Sequence, residues 1–375
     1  MVGRKERIVI GVNSGTSIDS LDIGLLGIAH SENRYSVRSL NWVSYKFPRD
    51  LASLLGELSS GEVIDIHTML YADKSLASFI GSRIKSALKR SGIKSKSIDL
   101  IGSHGQTIAH FPREKLTFQI GDPSIIAVQT GITTVGDFRK ADIGGGGEGA
   151  PLSPIFHQHI FARAQPIAVL NIGGIANISY IPPIDSSKRP FGFDCGPGNI
   201  LMDQLCRIHF DRDYDKNGSI AHKGEVLKGP LDRLMLDPFV NELPPKSTGR
   251  EYFGERFIKK HLSLRGNPAN LLRTALEFSA LSIAINIRKF LPSVKKVIVC
   301  GGGALNGFLV ERISHHLNLK CETSASYGLH PKLVECAGFA LFAVMAVDGI
   351  HSDLTKTTGS TKPVILGKIC YGSRT

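Results

Sequence analysis

No stretch of the 375-residue chain reaches the ~18 consecutive apolar residues that span a bilayer. The basic segment Met1–Arg7 runs straight into a strand-like run, so neither an anchor nor a signal peptide is expected. Cysteine is sparse and scattered: the six, at 195, 206, 300, 321, 336 and 370, form no CxxC pair and no His/Cys spacing of the zinc kind. They read as reduced thiols of a cytoplasmic protein. The GxxxxGK[ST] sequence is missing, which argues against the P-loop class. Low-complexity blocks are missing too, and 42% hydrophobic with 21% charged residues is ordinary globular usage, so the chain is expected to fold throughout.

Positive charge is in excess. A formal charge of +12 suits a nucleic-acid binder, an anionic small substrate or plain solubility, and does not choose among them. The densest basic run, Lys85 to Lys96, begins in a helical pattern and passes into a loop. It reads as a solvated helix end rather than a phosphate-backbone patch, and neither nucleic acid nor membrane is expected as a partner. At this length two lobes are expected, with a cleft between them.

Apolar alternation predicts three opening strands at Arg7–Asn13, Asp22–Ala29 and Tyr35–Phe47, then helices at Arg49–Leu58 and Val63–Ser91 and strands at Ile98–His104 and Thr117–Asp122. The run Gly144–Pro151, with five glycines in eight residues, reads as a hinge or ordered turn between lobes. A second strand triplet follows at Ile167–Ile172, Ala176–Ile181 and Pro190–Asp194, with a helix from about Pro197 to Phe210. Asp213–Arg265 is irregular and reads as loops and helices over the cleft. Helices at Asn267–Leu291, Leu305–Leu317 and Leu333–Val347 and a buried strand at Lys296–Cys300 complete the α/β pattern. The lobes are placed at 1–136 with 345–375 and at 137–344.

Three glycine-rich turns stand out. In Gly11–Asp22, close backbone approach plus the hydroxyls of Ser14, Thr16 and Ser17 suits a phosphate, and Asp19 or Asp22 suits hydrated Mg²⁺; a plain hairpin turn is the alternative. In Phe193–Asn199 a strand delivers Asp194 into a turn where Pro197 would open a helix with free amides facing an anion. Asp194 then serves either as a general base or as a cap. Val297–Asn306 resembles half of a dinucleotide fingerprint, with Asn306 where the third glycine belongs. Elsewhere, Ser103-His-Gly-Gln-Thr107 groups hydrogen-bonding side chains suited to sugar hydroxyls. Arg139 offers a bidentate partner for a carboxylate, or an ordinary pair with Asp137. Glu335 either faces a substrate or serves the dipole of its helix. His157 and His159, two apart on a helix, do not share a face, so no metal is expected there.

Taken in order, Ser14–Asp19, Gly102–Thr107, Gln119–Asp122, Asp137–Arg139, Gly147–Pro151, Asn171–Ser179, Asp194–Asn199, Pro244–Arg250 and Gly301–Asn306 resemble the anhydro-N-acetylmuramic acid kinases of the actin, Hsp70 and sugar kinase superfamily. The resemblance implies an α/β fold of two RNase-H-like, actin- and hexokinase-type lobes with ATP in the interlobe cleft. It implies an enzyme that opens the 1,6-anhydro ring of its amino sugar with ATP and water and phosphorylates O6, in cell-wall recycling. By the same carry-over Asp194 is the catalytic base. Gly15, Thr16, Ser17, Asp19, Ser20, Asp22, Gly196, Gly198, Asn199, Gly302, Gly303 and Asn306 would bind ATP, Asp19 would hold Mg²⁺, and His104, Arg139 and Glu335 would face the sugar. A homodimer is compatible with the family. A kinase of a simpler anhydrosugar such as levoglucosan and a non-catalytic nucleotide binder are the alternatives. Asn13, Ser20 and Cys195 depart from the family's methionine, glycine and threonine: Ser20 would strain a turn needing positive φ, and Cys195 would remove a hydroxyl beside the phosphates.

Overall fold

Three strands rich in aliphatic and β-branched residues open the chain: β1 (Arg7–Ser14), β2 (Ser20–Ser31) and β3 (Arg34–Lys46). They pair as an antiparallel meander, with Val9 opposite Leu26 and Ile23 opposite Val43. In this computed structural model the described residues are 6–373, apart from 16, 17, 19, 32, 33, 60–64, 250 and 263. Helices α1 (Arg49–Leu58) and α2 (Ile66–Ser91) follow. The carboxylate of Asp65 accepts the Thr68 amide at the start of α2, and Gly92 ends it at φ 68°. Next come β4 (Leu100–Ser103), β5 (Gln106–Phe111), β6 (Leu116–Ile120), α3 (Pro123–Thr130), β7 (Thr134–Gly136), α4 (Phe138–Gly144) and α5 (Ser153–Phe161).

A second set begins with β8 (Ile167–Ile172), β9 (Ile175–Ile181) and β10 (Phe191–Pro197), then α6 (Ile200–Phe210), α7 (Lys228–Met235), α8 (Pro238–Asn241), α9 (Glu255–His261) and α10 (Pro268–Phe290). It closes with β11 (Lys296–Cys300), α11 (Gly307–Leu317) and β12 (Cys321–Thr323), after which α12 (Val334–Val347) and β13 (Lys368–Cys370) end the chain.

The chain divides into two units, Met1–Ile160 with Lys332–Thr375, and Phe161–Pro331. The first holds the sheet β13-β7-β4-β1-β2-β3 and the second the sheet β10-β9-β8-β11-β12. In each, an antiparallel triplet is followed by a strand that pairs parallel with the first of the triplet: β4 on β1, and β11 on β8. This is the RNase-H-like strand order 3-2-1-4-5, present twice. The fold is therefore α/β, two RNase-H-like lobes of the actin and hexokinase type.

The unit boundaries fall at 160/161 and 331/332 rather than at 136/137 and 344/345. Packing explains the difference. Phe138 of α4, Phe156 of α5 and Phe339 and Phe342 of α12 stack into one aromatic cluster, which keeps all three helices in the first unit. Helix α12 also lies directly on β1 and β4: a Cβ on Gly11 or Gly102 would overlap the carbonyl oxygens of Cys336 and Phe339. Its apolar run is accordingly buried from Cys336 to Ala346.

Gly144–Pro151 is an ordered turn inside the first unit, not a hinge between units. The Gly149 amide donates to Asp142 Oδ2 at 2.7 Å, Glu148 donates to the Thr358 carbonyl, and Thr361 donates to that of Gly145. The irregular stretch 213–265 also differs from a surface cover, because Leu234, Phe239, Val240, Phe253, Phe257 and Ile258 belong to the core around α10. Among the described residues no helix is long and apolar enough to cross a membrane, and no group of three His, Cys, Asp or Glu residues is placed to hold a metal.

Candidate active site

In the second unit β8 runs parallel to β11, and β9 is antiparallel to both β8 and β10. The carboxyl ends of β8, β10 and β11 therefore lie on one edge of the sheet, where open α/β sheets receive ligands. Three turns meet there. Gly198 and Asn199 donate to the carbonyls of Gly174 and Gly173 at 2.8 and 2.9 Å, and Ile200 donates to Gly174. A Cβ on Gly303 would strike Ile172 and come within 3.1 Å of the Asn199 side-chain amide. Gly301, at φ 79°, packs against Asn171 and Ile172.

These contacts revise one expectation. The amides of Gly198 and Asn199 are not free to face an anion, since the β8–β9 turn uses them, and α6 opens at Ile200 rather than Pro197. Gly302 is the open position, exposed and with nothing near where a Cβ would stand. Asn306 is the cap of α11, accepting the Leu309 amide at 3.1 Å. A cavity of about 380 Å³ adjoins this turn, lined by Asn217, Ser219, His222, Lys223, Gly307, Phe308 and Glu311.

Asp194 sits at a β-bulge, where the register with β9 slips between Asp194 and Gly196. Gly196 takes φ 127°, and the Cys195 carbonyl is held by Ser282 Oγ at 2.5 Å and Asn286 Nδ2 at 3.3 Å. The carboxylate is no helix cap. Its Oδ2 accepts the Thr248 amide at 2.9 Å and the Ser247 hydroxyl at 3.2 Å. Burial pushes its pKa up to about 6, against the pull of those two donors and of the Lys246 charge. A carboxylate so poised is ionised at neutral pH yet basic enough to take a proton. Cys195, fully buried, belongs to the core of the unit, so the absent hydroxyl is no loss to a ligand at that edge.

In the first unit β1, β4 and β7 are mutually parallel, and their carboxyl ends gather a second set of side chains. Arg139, at the start of α4, donates from Nη2 to His104 Nε2 at 3.3 Å. It does not pair with Asp137, which bridges Lys140 and Lys368 instead. Burial, with the Arg139 charge adding to it, lowers the His104 pKa to about 3, so the ring is neutral; because a guanidinium only donates, Nε2 accepts and the ring proton sits on Nδ1. Burial also lowers Arg139 to about 10, opposed by Glu335, and the guanidinium stays charged at neutral pH. Glu335, in the first turn of α12, accepts Asn13 Nδ2 at 3.2 Å. The three residues expected to face the sugar are thus gathered, and Asn13 joins them. His104 stacks on Phe339 at 4.5 Å.

The Gly11–Asp22 turn closes through the Ile18 amide and the Gly15 carbonyl, with Ile18 at φ 55°. Ser20 is the first residue of β2, opposite Lys46; among the described residues of the turn the positive φ falls on Ile18, and Ser20 is unstrained. Burial raises the pKa of Asp22, against a hydrogen bond from Ser44 and the charge of Lys332. Thr16, Ser17 and Asp19 lie outside the described residues. Lys246, Ser247, Thr248, Ser282 and Asn286 were not singled out by the motifs; the only signal was the Pro244–Arg250 run within an otherwise irregular stretch.

A model of the anhydro-N-acetylmuramic acid kinase family matches residues 7–372. The chain belongs to that family. It is 39% identical over 372 residues to the anhydro-N-acetylmuramic acid kinase of Variovorax paradoxus, covering 96% of this chain and 98% of the relative. With the enzyme of the same name from Coxiella burnetii it shares 38% over 375 residues, covering 99% of each. Among solved structures it is similar to the activator of the 2-hydroxyisocaproyl-CoA dehydratase from Clostridium difficile, at 13% identity and TM-score 0.47, with 91% and 96% of the two chains covered.

Proposed function

We propose that this chain uses ATP and water to open the 1,6-anhydro ring of 1,6-anhydro-N-acetylmuramic acid and phosphorylates O6, giving N-acetylmuramic acid 6-phosphate for peptidoglycan recycling. Full-length membership of the family supports the reaction. The observation that carries the mechanism is Asp194, a partly buried carboxylate on a bulge at a strand end, with Oδ2 held by Ser247 and Thr248 and its pKa raised to about 6.

Asp194 takes a proton from water as the water oxygen bonds to the anomeric carbon. The bond from that carbon to O6 breaks, and O6 takes the γ-phosphoryl group of ATP while ADP leaves. Arg139, charged and half-buried, pairs with the lactyl carboxylate of the sugar in two hydrogen bonds, with Glu335 favouring its charge. Neutral His104 accepts from the guanidinium and helps to fix it. The amides of the turn at Gly302 and Gly303, of which Gly302 is the open position, donate to the phosphates of ATP, and the cavity beside Gly307 and Phe308 receives its base. Mg²⁺ fits Asp22, whose Oδ1 is buried without a hydrogen-bond partner among the described residues and whose carboxyl chemistry suits a hard cation. Bound there or at Asp19, it would neutralise phosphate charge.

Release of ADP tests the substrate assignment. Turnover with anhydro-N-acetylmuramic acid and little with levoglucosan, which lacks the carboxylate, is the expected result. Turnover with levoglucosan alone would overturn the assignment and leave Arg139 without a role.

A further inference from the structure

Lys246 is 7% exposed, yet among the described residues no carboxylate lies within ion-pairing distance of it. Its ammonium donates to the carbonyls of Phe239 at 2.8 Å and Val240 at 3.5 Å, which are among the last carbonyls of α8. It lies over the rings of Phe239 and Phe290 at 4.6 and 5.7 Å. The Val240 carbonyl also receives Asn286 Nδ2, the group that holds the Cys195 carbonyl, so α10 joins α8 and the end of β10. The Lys246 carbonyl in turn accepts the Asp194 amide at 3.1 Å, and the next two residues donate to Asp194 Oδ2.

We infer that Lys246 is a positioning residue for the base. Anchored to the end of α8, it holds Ser247 and Thr248 against Oδ2 and sets a positive charge near the carboxylate, leaving Oδ1 for the attacking water. A buried ammonium with no ion pair costs stability, and a role at Asp194 accounts for its being there. Among the described residues these titratable groups face the pair. Besides Lys246, Glu251 acts on Asp194 and raises its pKa; Cys195, Glu242, Lys289 and Asp194 act on Lys246, with Lys289 alone opposing its charge. Removing the Lys246 charge and loosening its two neighbours makes Asp194 more basic, so the acid limb of turnover moves to higher pH.

The inference rests on Asp194 being the base, and the test separates the two. In the full chain, kcat and KM for the anhydrosugar are measured from pH 5 to 9 for Lys246→Met, Lys246→Gln and Asp194→Asn. Lys246→Met, an apolar side chain of similar length between two phenylalanines, should lower kcat about tenfold or more near pH 6.5. The loss should narrow toward pH 9, with KM changed less than about threefold. Lys246→Gln, a neutral donor one bond shorter than lysine, should fall between, and it decides the matter if the methionine variant does not fold. A loss equal at every pH, or a raised KM with kcat intact, overturns the role of Lys246. Asp194→Asn should abolish turnover; if it does not, the assignment of the base fails instead.

Discussion

The proposed mechanism places two demands on the Asp194 carboxylate, to be ionised at neutral pH and still to take a proton, and burial against three favourable partners suits both. That a carboxylate sits at a strand end beside glycines is legible in the sequence. Its partners Ser247 and Thr248 are not, since they lie more than fifty positions away in a segment with no periodicity. Cys195 does not face the ligand edge that its place beside Asp194 suggests. The bulge makes it the extra residue and turns it into the core, where burial pushes its thiol far up. Cys195→Thr should therefore leave kcat within about twofold, because no ligand-facing hydroxyl is restored. It should instead lower stability by about 1–3 kcal/mol if the buried hydroxyl finds no partner. Steady-state kinetics with thermal unfolding checks this, and a several-fold rise in kcat would mean that the side chain reaches the phosphates.

At the scale of elements, the long and strongly periodic ones were legible: α1 begins and ends where expected, as do β8 and β11, and α2 and α10 lie within a few residues. The short ones were not. Strands β5 and β7 and helices α3 and α4 carry too few turns or alternations to announce themselves, so the edge that gathers His104, Arg139 and Glu335 could not be drawn from periodicity. Turn chemistry was readable as glycine but not as function. Gly196 is needed for its backbone, since a Cβ there would come within 2.6 Å of Ser282 Oγ, the group that holds the Cys195 carbonyl. Gly196→Ala should cost about 1–3 kcal/mol in strain at that φ. By turning the bulge, it should also lower kcat about tenfold or more. Unfolding and turnover measured on the same variant check both, and wild-type kcat would show that the bulge does not aim Asp194.

At the scale of the molecule, the two strand triplets revealed the repeated plan because each alternates cleanly before a turn. The boundary between units was not legible, because apolar helices such as α5 and α12 read equally well on either sheet, and only the Phe138, Phe156, Phe339 and Phe342 cluster assigns them. The charge of +12 remains compatible with an anionic sugar and nucleotide without identifying either. In the proposed mechanism it is water, not a substrate hydroxyl, that loses its proton to Asp194. Turnover of anhydro-N-acetylmuramic acid with ATP in ¹⁸O-labelled water, followed by mass spectrometry of the sugar phosphate, tests that directly. One ¹⁸O at the anomeric position of a 6-phosphate is expected. A phosphorylated sugar without label, or with its anhydro bridge intact, would contradict it.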